Sequence, residues 1–241
     1  MKNVKKAIAL VAVIMGVSTA SFAQNGFTVR AGGSFPIGTF GKGDVKDIAL
    51  LDGKSSNGGA AIGFNAGVKY QLGIIGNLGV FGTADFFYNS LNSDIKEAWK
   101  GDNENINLPT YMNIPVMVGA NYTILDIIGT TLWVEAGAGV NFRNITSSTA
   151  SAALGSIFSG DTKSVYDFST TFAWQAGVGV SLSNTVTLGL HYYGFGAAEI
   201  SGESTSSANL GGLISGESKP MAFTFGKLNP SMIIVRLGYT F

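Results

Sequence analysis

The chain has 241 residues, of which 12% are charged, 46% are hydrophobic and 34 are glycines. The charged share is about half of the ~25% typical of soluble domains, and glycine is about twice its usual ~7%. Cysteine is absent and histidine occurs once, which excludes disulfides and the usual thiolate or clustered-imidazole metal sites. We therefore expect no metal ion and no cofactor.

The first 23 residues carry the pattern of a cleaved export signal. Lys2, Lys5 and Lys6 form a basic start, and residues 7–17 form an uncharged run that is too short to span a bilayer as a helix, which needs ~20 residues. Ser21 and Ala23 place small residues at the −3 and −1 positions of a cleavage site. The alternative is an uncleaved anchor. We expect residues 1–23 to be a signal peptide and residues 24–241 to form one barrel domain.

The mature chain is apolar but lacks a membrane-spanning helical segment. Without the three signal-peptide lysines, 12 basic residues remain against 15 acidic ones, so the net charge is about −3. This charge argues against a nucleic-acid binder that relies on a basic surface. No later run of 18 apolar residues occurs, as a transmembrane helix would require. An exported, apolar and glycine-rich chain of this kind predicts a membrane barrel.

Eight segments show the alternation of a β-strand, and their connections alternate between short and long. We predict strands at 26–35, 59–70, 79–90, 110–122, 131–143, 167–182, 185–198 and 231–241. Short turns on one side and long loops on the other are typical of outer-membrane barrels. The prediction is an all-β fold, an eight-stranded antiparallel up-and-down transmembrane β-barrel with both chain ends in the periplasm of a bacterial cell.

The faces of these strands predict what points inward. In 231–241 one face is apolar and ends on Tyr239 and Phe241, whereas Arg236 lies on the other, because side chains alternate. The strand glycines fall mostly on the polar face, as a narrow interior requires. The ionisable residues predicted to face the lumen are Arg30, Lys69, Asp85, Glu135, His191 and Arg236. Since opposite charges nearly balance, we expect a salt-bridged plug; the alternative is a narrow channel.

Pro115 conflicts with the strand in which it occurs, because proline removes a ladder donor. We expect a bulge or a locally unpaired amide there. The motifs Tyr111-x-x-Ile114-Pro115, Ala136-Gly137 and Ala176-Gly-Val-Gly-Val180 resemble those of the outer-membrane β-barrel domain family that includes PorT-type proteins. They are similar, more loosely, to the OmpA barrel domain and OmpX. This resemblance implies a barrel fold and a role in protein secretion or assembly.

The C-terminal strand also resembles the insertion signal of outer-membrane barrels, which ends on a terminal phenylalanine. On this resemblance, Tyr239 and Phe241 are recognised by the barrel insertion machinery. The expected partners are therefore outer-membrane lipid and that machinery, with no nucleic acid.

Two of the long loops contain a repeat. Residues 148–163 align without gaps on residues 204–219, with nine of sixteen positions identical. In each copy three apolar residues recur at i, i+3 and i+4, which predicts one face of a short helix, with Gly160 and Gly216 near its C-terminus. These apolar residues are Leu154, Ile157 and Phe158 in the first copy and Leu210, Leu213 and Ile214 in the second. We expect them to form a lid or a partner-binding patch; the alternative is a floppy Ser/Gly-rich loop.

The sequence favours a structural or interaction protein that acts through its outer loops. A narrow porin-like channel and a component of secretion or assembly are the alternatives. Catalysis is not expected, because the only imidazole, His191, lacks a serine partner nearby in sequence and lies on the lumen face.

Overall fold

Eight antiparallel strands close into a barrel in the computed structural model, which describes residues 26–43, 47–50, 55–100, 106–154, 158–210 and 214–241. The predicted signal peptide lies outside these residues. The barrel strands are β1 (Gly26–Ile37), β2 (Gly63–Ile75), β3 (Leu78–Asn89), β4 (Tyr111–Ile127), β5 (Thr130–Ile145), β8 (Ser169–Leu182), β9 (Val186–Phe195) and β13 (Ser231–Thr240). Each strand pairs with the next barrel strand along the chain, and β13 pairs with β1 to close the barrel. The predicted fold class is confirmed.

The two ends of the barrel differ. Three tight turns and both ends of the barrel domain lie at one end, which we call the turn end; the long connections lie at the other, the loop end. Ser183 and Asn184 have φ of 51° and 55°, the left-handed conformations that a type I′ hairpin turn requires. The second predicted strand starts too early. Gly59 takes a φ of 58°, and Ala60 forms an isolated β-bridge with Leu91, outside the barrel strands.

Pro115 interrupts one ladder without a bulge. The β3–β4 register runs from Ala84–Val116 directly to Phe87–Asn113, with the two intervening pairs missing and no shift. On its other side Pro115 stays in register with Asn141 of β5. Of the two predicted outcomes, the unpaired position is therefore the one observed.

The two repeat-bearing loops form a second, five-stranded sheet at the loop end. Its strands are β6 (Ser148–Leu154), β7 (Phe158–Tyr166), β10 (Ala198–Leu210), β11 (Ile214–Glu217) and β12 (Met221–Leu228). The order is β6-β7-β10-β11, and β12 also pairs with β10. We call this unit the loop-end sheet.

The predicted short helices in these loops are wrong, because both repeat copies form β-hairpins. Leu154 pairs with Phe158 in the first copy and Leu210 with Ile214 in the second. The same register, shifted by 56 residues, continues to Ser151–Asp161 and Ser207–Glu217. Gly160 and Gly216 therefore lie within strands. The apolar residues at i and i+4 are therefore paired across two strands and do not lie on one helical face.

Two short helices, α1 (Gly38–Gly41) and α2 (Ser93–Lys100), lie in the first two long connections. The Asn92 side chain accepts a hydrogen bond from the Ile95 amide at 2.9 Å, which caps the start of α2. Ile95 is fully buried in one cluster with Phe40 and Leu91, so α2 anchors its loop on the core. None of the described helices is long and apolar enough to cross a membrane.

Candidate functional site

The outward-facing side chains of the barrel strands form an apolar belt. At least one large hydrophobic side chain from every barrel strand is exposed on this surface, for example Val29, Phe64, Val80, Val118, Val140, Phe172, Leu188 and Leu237. Exposing this surface to water would be unfavourable, because removing one methylene group from water lowers the free energy by ~0.8 kcal/mol. The belt is therefore the face that contacts lipid.

Aromatic residues gather near the ends of this belt. At the turn end Tyr122 and Tyr239 are exposed, and the Tyr239 and Phe241 rings lie 4.9 Å apart. Towards the loop end the Trp174 and Tyr192 rings stack at 4.9 Å. Rings in these places are typical of the two membrane interfaces. Whether Tyr239 and Phe241 also serve as an insertion signal stays a prediction.

Asp85 is the first of two carboxylates at the centre of the interior. Arg30 donates to it from Nε (3.0 Å) and Nη2 (2.7 Å), which is a bidentate pair. Arg236 donates from Nη1 at 3.2 Å and the Tyr193 hydroxyl at 3.1 Å. Since the Asp85 side chain is fully buried, these four hydrogen bonds replace its hydration.

Glu135 is the second buried carboxylate. Lys69 Nζ lies 2.5 Å from its Oε2, and His191 Nε2 lies 3.0 Å from its Oε1. Gln175 Nε2 also donates to Oε1, at 3.2 Å. Arg30 Nη1, at 3.9 Å from Oε1, connects this group to Asp85. The structure thus brings all six ionisable residues assigned to the lumen into one network, which we call the charged layer.

Two glycines give the charged layer its space. Gly67 lies between Arg30 and Asp85 in the strand register, and Gly177 lies between Glu135 and His191. A β-carbon on Gly67 would overlap the Asp85 carboxylate, and one on Gly177 would overlap the His191 ring. Each pair therefore meets across the bare backbone of the strand between its members.

Aromatic side chains complete the charged layer. Lys69 Nζ lies 4.8 Å from the Phe81 ring centroid and 5.0 Å from that of Trp133, and Arg236 Cζ lies 5.0 Å from that of Tyr193. The negative face of an aromatic ring attracts a nearby cation, so these cation–π contacts hold Lys69 and Arg236 in place. The sequence analysis identified only ionisable residues as lumen residues and therefore did not name Tyr193, Gln175 or Trp133. All three nevertheless lie on the inward face of their strands.

Between the charged layer and the loop end the interior contains an apolar cluster beside buried polar residues such as Asn65, Asn113 and Asn141. Phe87, Tyr193, Phe195, Met232 and Ile234 are fully buried. The Phe87 ring lies 5.0 Å from that of Tyr193 and 5.4 Å from that of Phe195. This cluster, which we call the apolar segment, is continuous with the buried loop residues Phe40 and Leu228. The sequence did not predict it, because each strand contributes only one or two of its residues.

A cavity of about 500 Å³ occupies the turn-end half of the interior. Its walls include the turn residues Gly76, Asn77 and Asn184, and the charged layer contributes Arg30, Lys69, His191 and Arg236. None of the described residues of the loop-end sheet lines it. We call it the turn-end cavity.

Arg143 is a buried cation that the sequence analysis missed. Its Nη1 donates to the Leu228 carbonyl at 3.1 Å and its Nη2 to the Gly196 carbonyl at 2.8 Å. It thereby attaches both ends of the long β9–β13 connection to the barrel wall. The sequence could have predicted it, because Arg143 alternates in step with Glu135 and Asn141 and therefore lies on the inward face of β5.

The loop-end sheet is held together by polar side-chain contacts as well. The Tyr166 hydroxyl of β7 lies 3.4 Å from Ser148 Oγ of β6. Burial raises the pKa of the Tyr166 hydroxyl above its usual value of 10, so it remains protonated at neutral pH. The Ser201 hydroxyl donates to Asp167 at 2.7 Å. The side chains of the predicted apolar patch in the hairpin tips lie outside the described part of the structure.

No group of three histidine or acidic residues among the described residues could hold a metal ion. His191 instead contacts Glu135 within the charged layer.

A closed antiparallel barrel with a lipid-compatible exterior and a charged interior defines an outer-membrane β-barrel protein. No protein-family model matches the chain, and no curated protein matches it. Among solved structures it is similar to a major outer membrane protein from Thermus thermophilus, with 14% identity, a TM-score of 0.43, and coverage of 90% of this chain and 99% of that one.

Two further solved structures show a comparable level of similarity. OprG from Pseudomonas aeruginosa has 14% identity and a TM-score of 0.41 over 90% of this chain and 96% of that one. The outer membrane protein W of E. coli has 16% identity and a TM-score of 0.36 over 92% and 100%. Similarity this low says nothing about function, so the class rests on the barrel itself.

Proposed function

We propose that this protein is a sealed outer-membrane barrel that displays the loop-end sheet to a protein partner. The observation that carries the proposal is the free edge of that sheet. Within the described part of the chain, strand β11 pairs with β10 on one side only, and Ser215, Gly216 and Glu217 are exposed. An open edge of this kind adds an extended segment of another chain through main-chain hydrogen bonds.

The register of β11 identifies the groups that a partner would meet. The Ser218 amide donates to the Ser206 carbonyl at 2.7 Å, so this pair is a hydrogen-bonded one. Because such pairs alternate with non-hydrogen-bonded ones, the amides of Ser215 and Glu217 point away from β10. These two amides are the donors that the edge offers. We also propose that the apolar patch predicted from the sequence adds contacts to the partner; its residues are Leu154, Ile157 and Phe158 in one copy and Leu210, Leu213 and Ile214 in the other.

The packing of the interior supports a sealed lumen. A solute would have to break the ion pairs of the charged layer and then displace the apolar segment, whose side chains are fully buried. Breaking one buried pair costs ~3–5 kcal/mol. The narrow-channel alternative has no comparable support, and the secretion or assembly role rests on the sequence resemblance alone.

The proposed orientation places the loop end outside the cell and the turn end in the periplasm, because outer-membrane barrels have short periplasmic turns and long outer loops. Tyr239 and Phe241 would then enter the membrane from the periplasmic side with the insertion machinery. Export by residues 1–23 belongs to the same proposal.

A photo-crosslinking amino acid at Glu217, introduced in intact cells, tests the proposed edge. We expect a discrete crosslinked product, whose mass distinguishes a second copy of the chain from a different protein. Ser215→Pro removes one outward amide without disturbing the β10 ladder, so it should abolish that product. The same crosslinker at the exposed Lys227 of β12 is the control. Equal products at both positions, or one that survives Ser215→Pro, would contradict recognition at the β11 edge.

A further inference from the structure

Arg236 presents a free hydrogen-bonding edge inside the barrel. Its Nη1 donates to Asp85 at 3.2 Å, whereas its Nε and Nη2 have no hydrogen-bond partner among the described residues. The residue is only 3% exposed and lines the turn-end cavity. A buried guanidinium edge without a partner costs free energy, since charged donors need acceptors when they are out of water.

The two unpartnered nitrogens of Arg236, Nε and Nη2, are the same two with which Arg30 binds a carboxylate in the charged layer. Arg30 uses Nε and Nη2 to grip the two oxygens of Asp85 at 3.0 and 2.7 Å. The guanidinium fork matches planar or tetrahedral oxyanions in this bidentate geometry. Arg236 therefore carries the same fork, with its remaining Nη1 fixed by Asp85.

The charge of the layer also favours an anion. Among the described residues, Arg30, Lys69 and Arg236 pair only with Asp85 and Glu135, which leaves one positive charge in excess with His191 neutral. Asp126 also lines the cavity, but this residue is exposed at the β4–β5 turn, where solvent screens its charge. The excess charge thus lies at the buried end of the cavity.

Hydroxyl groups line the path to Arg236. Thr28 Oγ1 and Thr240 Oγ1 lie 2.8 Å apart, and both residues border the cavity together with Thr187. The Thr187 and Thr28 side chains fill the space beside Gly238, where an added β-carbon would come within 2.5 Å of Thr187 Oγ1 and 2.9 Å of Thr28 Cγ2. Hydroxyls of this kind can donate to a second face of a small anion.

We propose that the turn-end cavity binds a small oxyanion, a carboxylate or a phosphate, on the Nε–Nη2 fork of Arg236. Bound there, the anion neutralises the excess charge and satisfies both free donors. This site is independent of the β11 edge and is reached from the opposite end of the barrel. In the proposed orientation its ligand comes from the periplasm.

Side-chain NMR of the refolded full-length mature chain in detergent micelles tests this site. The Nε–H signal of Arg236 is followed while sodium phosphate or sodium acetate replaces sodium chloride at constant ionic strength. We expect that signal to shift and saturate with at least one of the two oxyanions. The Nε–H signal of Arg30, which already donates to Asp85, is the internal reference and should shift less. This comparison requires no variant.

Arg236→Lys keeps the charge but removes the fork. We expect it to weaken binding about tenfold, equivalent to ~1.4 kcal/mol, when affinity is read from thermal stabilisation by the same anion. Lys163→Gln, which removes an exposed cation of the loop-end sheet, should leave affinity unchanged. An Arg236 signal that fails to saturate with either anion would overturn the proposal. So would unchanged affinity in Arg236→Lys.

Discussion

Arg30 and Asp85 lie on β1 and β3, and their side chains meet across Gly67 of the intervening strand, with contacts of 3.0 and 2.7 Å. Glu135 and His191 repeat this relationship across Gly177. In a narrow barrel the interior side chains of adjacent strands compete for one volume. Because glycine has no side chain, residues on the two strands that flank it can form a pair across it. Gly67 and Gly177 are therefore required for the charged layer.

Gly67→Ala tests this role directly. The added methyl would overlap the Asp85 carboxylate and come 2.7 Å from the Ala84 carbonyl oxygen. Overpacking of this kind costs ~1–3 kcal/mol, which should appear in the free energy of unfolding by urea. Gly82→Ala is a matched control, because its methyl would have a single neighbour at 4.0 Å. Equal losses in the two variants would show that the space at Gly67 is not needed by the pair.

Glu135→Leu should be strongly destabilising. It leaves Lys69, which lies 2.5 Å from the carboxylate, as a buried cation without its partner. The expected loss is ~3–5 kcal/mol in urea-induced unfolding. Glu203→Leu, at an exposed position of β10, should change stability by no more than ~0.5 kcal/mol. A loss below ~1 kcal/mol for Glu135→Leu would indicate that water solvates Lys69 and that the layer is open.

A second substitution should recover part of that loss. Lys69→Met in the Glu135→Leu background removes the stranded cation, and replacing a buried ion pair with apolar residues is often neutral. The double variant should therefore be more stable than Glu135→Leu alone by the same urea measurement. A double variant that is less stable, with additive losses, would mean that Lys69 and Glu135 act independently.

Arg143→Met should release the long connection between β9 and β13. The substitution removes both hydrogen bonds that attach Leu228 and Gly196 to β5. We expect faster proteolysis within 197–230, while the barrel keeps its heat-resistant gel mobility. Lys227→Met, at an exposed neighbouring site, should leave the cleavage rate unchanged. An unchanged rate in Arg143→Met would show that other contacts hold this connection.

Introduced thiols test the orientation, because the natural chain has no cysteine. Single cysteines at the exposed loop-end residues Ser56 and Ser206 should react on intact cells with an impermeant maleimide. A cysteine at Asn184, in the turn between β8 and β9, should react only after the outer membrane is opened. The reverse pattern would place the turn end outside the cell.

Much of the barrel could be predicted from the sequence, because each feature of it is local. Alternation fixes the faces of a strand, so the inward positions of Arg30, Lys69 and Arg236 follow from their own neighbours. Register could not be predicted in the same way. That Gly67 lies between Arg30 and Asp85 depends on the alignment of three strands, which a one-residue slip would destroy.

The loop end was predicted less well, for a physical reason. Apolar spacing at i, i+3 and i+4 favours a helical face, whereas Leu154 and Phe158 pair across two strands, as do Leu210 and Ile214. The pairing of β7 with β10 decided the outcome, since a hairpin gains a neighbouring strand that a helix would not. The apolar segment was missed because Phe87, Phe195 and Ile234 come from three different strands and form a cluster only when the barrel closes.

The claim that the lumen is sealed is tested most directly by electrical recording from the refolded mature chain in a planar lipid bilayer. With the charged layer and the apolar segment in place, we expect no discrete conductance steps, and we expect the seal to weaken in Glu135→Leu if that variant inserts. Stable conductance steps from the unmodified chain, at either polarity and in proportion to the protein added, would contradict the sealed barrel.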